Sequence, residues 1–446
     1  MTVDVADRVR RGRPPLRNEI LRSGRFGGIS ADALAVAHGT PFYAYDLDVM
    51  SRQADALRAV LPPVADVAYA VKANPALAVV AHLGELGLGA DVASAGELEL
   101  VYRAGIPPER IVMTGPGKRD AELEAAVALG IRAVTVESTG ELARLEAIAE
   151  RVGRVQAVML RVAVAENVRL ERVRLVGDDG AGKFGMDPAD LVAAARIAAR
   201  SPHLEWLGLH AFGASNVLDA GALLGHVEAT VRTARRLALS VGAPLRLIDA
   251  GGGLGLPYEP HEESLDLRRL GVGLAEIVAG WGDDPLLAGA RLLLEPGRFL
   301  VGPAGAYVAR VVDRKNVAGS IVVVLDGGVH HLLRPALVGQ EHRLRTVGVG
   351  AEPSNGRVTP VTVAGPLCSG LDVFSQSAVM RPPEIGELVA VLDVGAYGFT
   401  ESMPLFLSHP VPAEIAIRGG RTALIRPRQE PREWLDRQLL PDWRAG

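Results

Sequence analysis

Short apolar strands alternate with helical segments between about residue 40 and residue 300. The helical segments include 95–104, 121–129, 140–149, 188–200 and 220–241. The strands are predicted near residues 65–72, 87–93, 110–114, 132–137, 156–162, 205–212, 245–250 and 290–295. Eight strand-then-helix units in roughly 250 residues are the pattern of a (β/α)8 TIM barrel. A doubly wound sheet is the alternative, but it usually has one glycine-rich phosphate turn, early in the fold.

Polar residues and glycines collect where the predicted strands end. A TIM barrel brings the C-terminal ends of its strands into one ring, and barrel enzymes place their chemistry there. Chance would scatter such residues between both ends of the strands. We therefore predict an active site at this ring, formed by Lys72, Asp91, Ser94, Gly115, Glu137, Arg161, Ser215, Gly251, Gly252, Gly253 and Glu295.

The pattern changes after about residue 300, where helical stretches become few. Strands are predicted at 308–312, 320–325, 359–363, 388–394 and 413–418. A run of strands of this kind predicts a second, all-β domain after the barrel. The expected organisation is an N-terminal arm that joins the β domain, a barrel and a C-terminal β domain, with limits at residues 1–37, 38–300 and 301–446.

Charge and cysteine content limit the partners and the compartment. The chain has 446 residues, a formal net charge of −4 and one cysteine. A slightly acidic chain does not point to nucleic acid or to an anionic membrane, and a single cysteine excludes an intrachain disulfide and fits a reducing cytoplasm. No apolar stretch reaches the roughly 20 residues that span a bilayer. We expect a cytoplasmic protein that binds neither nucleic acid nor membrane.

Lys72 lies in the run Tyr69-Ala-Val-Lys-Ala-Asn74, where the first barrel strand ends. A lysine at such a strand exit is desolvated enough to lose its proton and open enough to meet a carbonyl compound. These are the conditions for a Schiff-base lysine. The alternative is a surface lysine whose stem packs on apolar groups while its ammonium reaches water.

Two turns follow the last two barrel strands. Asp249-Ala-Gly-Gly-Gly-Leu-Gly255 can present several backbone N–H groups to a phosphate, or it is simply a flexible turn. It lacks the third glycine of a dinucleotide fingerprint. In Glu295-Pro-Gly-Arg298, the carboxylate could keep a pyridine nitrogen protonated and the guanidinium could bind a phosphate or a substrate carboxylate.

Two further segments are excluded as nucleotide or metal sites. The segment 177–184 matches the phosphate-loop spacing up to Lys183, but Phe184 stands where Ser or Thr must bind magnesium. His330 and His331 are adjacent, and on a strand they would point to opposite faces, which makes a shared metal ion unfavourable. We predict no metal site.

The β domain adds two candidate groups. Cys368 lies in the turn 365–372, which is rich in glycine and proline, so that an acid/base thiol is credible beside the usual interpretation as an inert core residue. Tyr397 stands between glycines in Gly395-Ala-Tyr-Gly398, which suits a hydrogen bond to a phosphate or a substrate. Its alternative is an ordinary packed turn.

Taken in order, these motifs resemble the fold-type III pyridoxal-phosphate decarboxylases, the group that contains diaminopimelate and ornithine decarboxylases. The resemblance runs from Pro41 to Ile415 and rests on the combination of the motifs at 69–74, 91–97, 251–255, 295–298, 365–372 and 395–397. It implies pyridoxal 5'-phosphate as cofactor, decarboxylation of an α-amino acid, and a homodimer with its active sites at the interface. Alanine racemases share the barrel, but they pair the ring nitrogen with an arginine.

By this resemblance, each motif has a role. Lys72 would hold the cofactor as a Schiff base, Glu295 would bind the pyridine nitrogen, and Cys368 would donate a proton in the neighbouring subunit's site. The phosphate would be surrounded by Ser215, Gly252, Gly253, Arg298 and Tyr397, Gly297 would also bind the cofactor, and Asp91 and Arg161 would support the site from behind. Substrate contacts are expected from Arg298, Arg334, Ser369, Asp372 and Tyr397.

Several departures from the family concern the substrate. Phe212 stands where the family has a histidine that stacks on the cofactor ring, and a phenyl ring can stack but carries no charge. Ser369 replaces the Glu or Asp that grips a distal ammonium, although Asp372 could partly compensate. Arg334 retains the arginine that helps to bind a distal carboxylate in diaminopimelate decarboxylases, whereas Val338 replaces a tyrosine.

These departures favour a decarboxylase of a modified or carrier-bound amino acid, such as a glutamyl group on an acyl-carrier protein. The segment 401–410 also resembles that biosynthetic subgroup. Diaminopimelate decarboxylase, making L-lysine, is the main alternative. A catalytically silent relative and a racemase are the other possibilities, but silent relatives tend to lose the lysine, the glycine triplet or the cysteine.

Overall fold

A computed structural model describes residues 24–163, 183–213, 215–259, 261–348 and 358–442. These residues form two compact units. One comprises residues 50–257 and 262–301, and the other comprises residues up to 49, residues 258–261 and residues from 302 onwards, within the described ranges.

The first unit contains a closed barrel of eight parallel strands. Each strand pairs with the next along the chain, and the last pairs with the first through Leu294 and Val67. The small and branched side chains of the interior, among them Ala68, Ala133 and Leu293, pack into one buried cluster. In chain order the barrel strands are Ala65–Ala70, Gly89–Val92, Ile111–Met113, Ala133–Val136, Gln156–Arg161, Leu204–His210, Leu247–Asp249 and Arg291–Leu294.

Helices connect the barrel strands, and local sequence sets their ends. Ser94 accepts a hydrogen bond from the backbone N–H of Glu97 and so caps the helix that follows the second strand. Gly153, at φ 74°, ends another helix in the left-handed conformation that glycine adopts without strain. The helices before and between the strands are Leu47–Arg58, Leu77–Glu85, Ala95–Arg103, Asp120–Leu129, Thr139–Val152, Pro188–Arg200, Ala220–Val241 and Leu267–Val278, and Arg298–Val301 follows the last strand.

The second unit is built on β-strands. Its longest strand, Gly305–Val317, pairs antiparallel with Phe42–Asp46, Ser320–Leu325 and Leu388–Leu392. The other strands are Arg25–Phe26, Ile29–Ser30, Leu344–Val347, Thr359–Ala364, Val373–Met380, Ala413–Arg418 and Arg421–Arg426, and the helices are Ala31–His38, Arg334–Val338 and Arg432–Leu435. The prediction of a barrel followed by an all-β domain is confirmed.

The predicted limits of the units differ from the observed ones at one end. Phe42–Asp46 pairs in parallel with Ala413–Arg418 as well as with Gly305–Val317, so residues 38–49 belong to the second unit and not to the barrel. All five residues of this strand are buried, so its sequence shows no alternation that would mark it as part of a sheet. Of the predicted arm, residues 24–37 lie in the second unit, and residues 1–23 are outside the described ranges.

Within the described residues, no helix is long and apolar enough to cross a membrane.

Candidate active site

Lys72 lies in a short 3-10 turn, Val71–Ala73, directly after the first barrel strand. Its Nζ is 3.2 Å from Oδ2 of Asp91, at the end of the second strand, and 5.8 Å from the centre of the Phe212 ring. The side chain of Lys72 is 46% exposed and that of Asp91 only 1%. The amine is therefore held in place and still open to a carbonyl compound from solvent.

Asp91 is held in turn by Thr114, whose hydroxyl donates to Oδ1 at 2.6 Å. Burial raises the pKa of Asp91, and the charge of Glu295 adds to the rise, while Lys72 opposes it. With both oxygens engaged, Asp91 fixes the position of the lysine from behind. Thr114 immediately follows the third strand, but a small neutral residue at a strand end is not marked by the sequence as part of a site.

The glycine turn after the seventh strand lies closely against its neighbours. A Cβ at Gly252 would lie 2.3 Å from the backbone oxygen of Glu295, and one at Gly251 would lie 2.8 Å from Cδ2 of Phe212. Gly251 and Gly253 also have φ values of 66° and 92°. Only glycine satisfies both conditions, and the turn leaves its backbone accessible to an anion at close range.

The segment 295–298 brings an arginine to the same ring. A Cβ at Gly297 would lie 2.8 Å from Cβ of Ala73, so this segment packs on the turn that carries Lys72. Arg298 is buried, and its Nη2 lies 3.5 Å from Oγ of Ser215. Ser215 and Arg298 therefore meet, as the predicted phosphate site requires.

Glu295 is buried beside a histidine at the end of the sixth strand. Its Oε2 is 3.4 Å from Nε2 of His210, and atoms of Glu295, His210 and Asp249 lie within 4.8 Å of one another. Burial alone would raise the pKa of Glu295, but the hydrogen bond and charge of His210, and then the charge of Lys72, lower it overall. Glu295 therefore stays ionised.

The other oxygen of Glu295, Oε1, is buried and has no hydrogen-bond donor among the described residues. A buried anionic oxygen without a donor is costly unless a ligand supplies one. A protonated pyridine nitrogen is such a donor. Together with Lys72 and the glycine turn, this oxygen fits pyridoxal 5'-phosphate.

Arg161 ends the fifth barrel strand and forms a buried ion pair with Glu137, with Nη1 2.8 Å from Oε1. The other oxygen of Glu137 accepts from the backbone N–H of Gly185 at 3.0 Å. The guanidinium also lies 4.5 Å from the centre of the Phe184 ring. These contacts give Arg161 a supporting position at the rim of the strands.

In the second unit, Arg334 is engaged by Glu401. Its Nη1 lies 3.1 and 2.9 Å from the two carboxylate oxygens, and its guanidinium lies 5.1 Å from the centre of the Tyr397 ring. Arg334 is only 4% exposed. Glu401 has no counterpart in the predicted site, although it lies four residues after Tyr397 in the segment that resembles the biosynthetic subgroup.

The loop 365–372 exposes Cys368 and buries Asp372. The two oxygens of Asp372 accept backbone N–H bonds from Val329 and Leu367, each at 2.7 Å. The prediction that Asp372 binds substrate conflicts with these contacts, because its carboxylate is already used to hold the loop. Ser369 is partly exposed, and its hydroxyl oxygen accepts a hydrogen bond from the backbone N–H of Leu371 at 3.3 Å.

His330 and His331 lie in a turn and not on a strand, so the expectation that they point apart was wrong. Their ring centres are 3.6 Å apart, and the ring of His409 lies 5.0 Å from that of His330. Burial, and then His409, lowers the pKa of His330 to about 4. Neutral rings can pack at this distance without charge repulsion.

These groups define a class of barrel proteins that hold a carbonyl compound carrying a phosphate. The model of one family, pyridoxal-dependent decarboxylase, pyridoxal binding domain, matches residues 47–302, which is more than half of the chain. The chain belongs to this family. It is a pyridoxal-phosphate-dependent decarboxylase, and the resemblance inferred from its motifs is confirmed.

Curated relatives are similar over almost the full length. The L-glutamyl-[BtrI acyl-carrier protein] decarboxylase of Niallia circulans is 32% identical over 398 residues, which cover 88% of this chain and 92% of that protein. The diaminopimelate decarboxylase of Aquifex aeolicus is 33% identical over 405 residues, covering 90% and 92%. The crystal structure of Helicobacter pylori diaminopimelate decarboxylase complexed with L-lysine superposes with a TM-score of 0.81 at 29% identity, covering 91% and 99%.

Proposed function

We propose that the protein decarboxylates a modified or carrier-bound α-amino acid. The distal end of this substrate does not carry a free carboxylate together with a free ammonium group. The observation that carries this proposal is the pair formed by Arg334 and Glu401. Glu401 grips the guanidinium with both oxygens, at 3.1 and 2.9 Å, and neutralises it. A second carboxylate would have to compete with Glu401 for this arginine, whose Nε is buried without a hydrogen-bond partner among the described residues.

Ser369 supports the same substrate class. Its neutral hydroxyl cannot balance a distal ammonium, and Asp372 is occupied by two backbone N–H groups. In the described loop 365–372, the distal ammonium of a free diamino dicarboxylic acid then finds no unengaged carboxylate, and its distal carboxylate would compete with Glu401 for Arg334. A relative at 32% identity is named for a glutamyl group on an acyl-carrier protein. A glutamyl group that is bonded to a carrier through its distal carboxyl group has no charge at that end.

The second candidate is decarboxylation of diaminopimelate. The relative from Aquifex aeolicus, at 33% identity, is named for that activity, and this chain keeps Arg334. On this alternative, Glu401 would have to release the arginine when the substrate arrives.

The residues of the barrel then have the following roles. Lys72 would hold the carbonyl carbon of the cofactor through its Nζ, and Asp91 would orient that amine. Glu295 would stabilise a proton on the ring nitrogen. When bound, pyridoxal phosphate supplies the electron sink that accepts the electrons left as carbon dioxide departs. The phosphate is assigned to Ser215, Gly252, Gly253, Arg298 and Tyr397, with Gly297 also at the cofactor, Phe212 against the ring, Arg161 in support, and substrate contacts from Arg298, Ser369 and Tyr397.

Cys368 is the proposed proton donor to the α-carbon. Its thiol is exposed, as a group that acts in the site of a neighbouring subunit must be. The proposal therefore includes a homodimer. Sedimentation at the concentrations used for assay, with and without pyridoxal phosphate, tests this part separately.

The substrate class is tested with a defined panel. Protein loaded with pyridoxal phosphate is incubated with a γ-glutamyl pantetheine thioester, meso-diaminopimelate, ornithine, lysine, arginine and glutamate, and products are followed by mass spectrometry with Lys72→Ala as control. Turnover of the thioester with diaminopimelate ignored supports the proposal. Rapid loss of carbon dioxide from diaminopimelate overturns it in favour of the second candidate.

A further inference from the structure

We propose that Asp249 is a positioning residue that shares one proton with Glu295 and thereby keeps the negative charge on Glu295. The inference rests on the proposed role of Glu295 at the ring nitrogen, but not on the identity of the substrate. Asp249 touches neither substrate nor cofactor on this proposal. It acts through the carboxylate beside it.

Adjacent strand ends bring the groups together. Asp249 is the last residue of the seventh barrel strand, and its backbone is paired with His210 on one side and with Leu293 on the other. Glu295 follows two residues after Leu293. Atoms of His210, Asp249 and Glu295 therefore lie within 4.8 Å of one another, and all three residues are buried.

The carboxylate oxygens of Asp249 and Glu295 have fewer hydrogen-bond donors than they need. Oδ1 of Asp249 accepts from the backbone N–H of Gly251 at 2.8 Å. Oδ2 of Asp249 and Oε1 of Glu295 are both buried without a donor among the described residues. Ionised carboxylates only accept, and two of them buried side by side repel each other. A proton held on Oδ2 of Asp249 makes that oxygen a donor and removes the repulsion, and because a carboxylate oxygen has two lone pairs, Oε1 of Glu295 can still accept from the pyridine nitrogen.

The surroundings decide which carboxyl group holds the proton. Burial raises the pKa of Asp249 well above its usual range, and the charges of Glu295 and then Asp91 add to the rise. The pKa of Glu295 is lowered overall, because His210 and Lys72 outweigh its burial. The remaining titratable group nearby, His226, is tied to the backbone oxygen of Ala250 at 3.1 Å. Asp249 is therefore the acid and Glu295 the anion.

This arrangement has a consequence for the cofactor. A protonated Asp249 can donate to Glu295, and a hydrogen bond to the charged form of an acid favours that form. Glu295 can then stay ionised although it is fully enclosed, and an ionised carboxylate is what holds a proton on a pyridine nitrogen. Without Asp249 as a donor, Glu295 keeps the contact with His210 and the more distant charge of Lys72.

The matched test variant is Asp249→Asn. Asparagine keeps the oxygen that accepts from Gly251 and offers an N–H in place of the shared proton, but it cannot ionise. Asp249→Ala removes both. Glu295→Gln is the control for the alternative in which the proton lies on Glu295.

The first measurement uses the cofactor-free protein, so that it does not depend on the role of Glu295 toward the ring. A carboxyl group whose pKa is raised by folding stabilises the fold less as pH rises above its unfolded value of about 4, by up to roughly tenfold in the folding constant per pH unit. Urea unfolding of wild type and Asp249→Asn between pH 4 and pH 9 should therefore diverge, with the variant gaining relative stability as pH rises. The proposal is overturned if the difference in stability between wild type and Asp249→Asn does not vary with pH. It is also overturned if the pH dependence is lost in Glu295→Gln and kept in Asp249→Asn.

The second measurement uses the loaded protein. We expect Asp249→Asn to keep the cofactor affinity and the absorption spectrum of wild type, while Asp249→Ala loses roughly tenfold or more in affinity through the missing bond to a charged group. A merely structural role would make the two variants equally weak. If Glu295→Gln binds the cofactor with unchanged affinity and spectrum, the role of Glu295 at the ring fails, while the pH result on Asp249 stands. In wild type, an infrared carboxyl band at pH 7 that is absent from Asp249→Asn is expected, whether or not the alanine variant folds.

Discussion

The close approach of the glycine turn to the eighth barrel strand makes Gly252→Ala the most informative single substitution. The added Cβ would lie 2.3 Å from the backbone oxygen of Glu295 and 3.1 Å from its carbonyl carbon. Real Cβ contacts essentially never fall below 3.0 Å, so one of the two backbones must move by at least about 0.7 Å. A side chain could rotate away, but a carbonyl group fixed between two turns cannot.

The size of the effect follows from this geometry. Overpacking a well-packed site typically costs about 1–3 kcal/mol, and a rigid backbone neighbour places this substitution toward the upper end. The shift also moves Glu295 and the N–H groups of the turn, so that the affinity for pyridoxal phosphate falls together with stability. Both are measured on one preparation, by urea unfolding of the cofactor-free protein and by titration with the cofactor.

Gly225→Ala is the matched control. Gly225 lies inside the helix Ala220–Val241, and a Cβ there would meet nothing within 4 Å. Alanine in a helix interior is favoured over glycine by about 0.5–1 kcal/mol, so this variant should be as stable as wild type or more so, with unchanged cofactor affinity. The reasoning is refuted if Gly252→Ala matches wild type in stability and in cofactor affinity.

Three other outcomes follow from the described contacts. Glu401→Met should free Arg334 and raise kcat/KM for substrates with a free distal carboxylate relative to the thioester; an unchanged ratio would remove this pair from the specificity argument. Glu137→Ala should leave Arg161 as an unpaired buried cation and cost about 3–5 kcal/mol in urea unfolding, whereas a cost below about 1 kcal/mol would mean that water reaches the pair. Because burial lowers the pKa of His330 to about 4, the unfolded chain binds the extra proton first, and stability should fall as pH drops from about 6.5 to 4. His330→Phe should flatten that fall, and an equally steep fall in the variant would assign it to other groups.

The sequence predicted all eight barrel strands, because each is a short apolar run between helices and turns. The strands at residues 25–26, 29–30, 42–46, 344–347, 373–380 and 421–426 were not predicted. Residues 373–380 form a partly exposed strand without a clear apolar side, so neither hydrophobicity nor alternation marks it. Strand pairing across the sheet, which no local pattern encodes, determines where such segments lie.

The sequence predicted those residues of the site that are conspicuous polar residues or glycines at the ends of barrel strands. His210 and Asp249 also end strands, but they were not predicted as site residues, because a buried acid and a buried histidine differ from core residues only through their neighbours. Glu401 was missed for the same reason, since its importance comes from the distance to Arg334. The error over His330 and His331 came from placing them on a strand, where the chain makes a turn.

The pairing of Phe42–Asp46 has a consequence for the order of folding during synthesis. This strand is made before the barrel, but its partners, Gly305–Val317 and Ala413–Arg418, are made after it. This short, aromatic strand, which is wholly buried in the folded protein, therefore leaves the ribosome unpaired. About 260 further residues must be synthesised before its first partner strand appears. The barrel can close in the meantime from consecutive strands. A nascent chain stalled between the two events would carry an unpaired strand edge, and chaperone binding should be strongest in that interval.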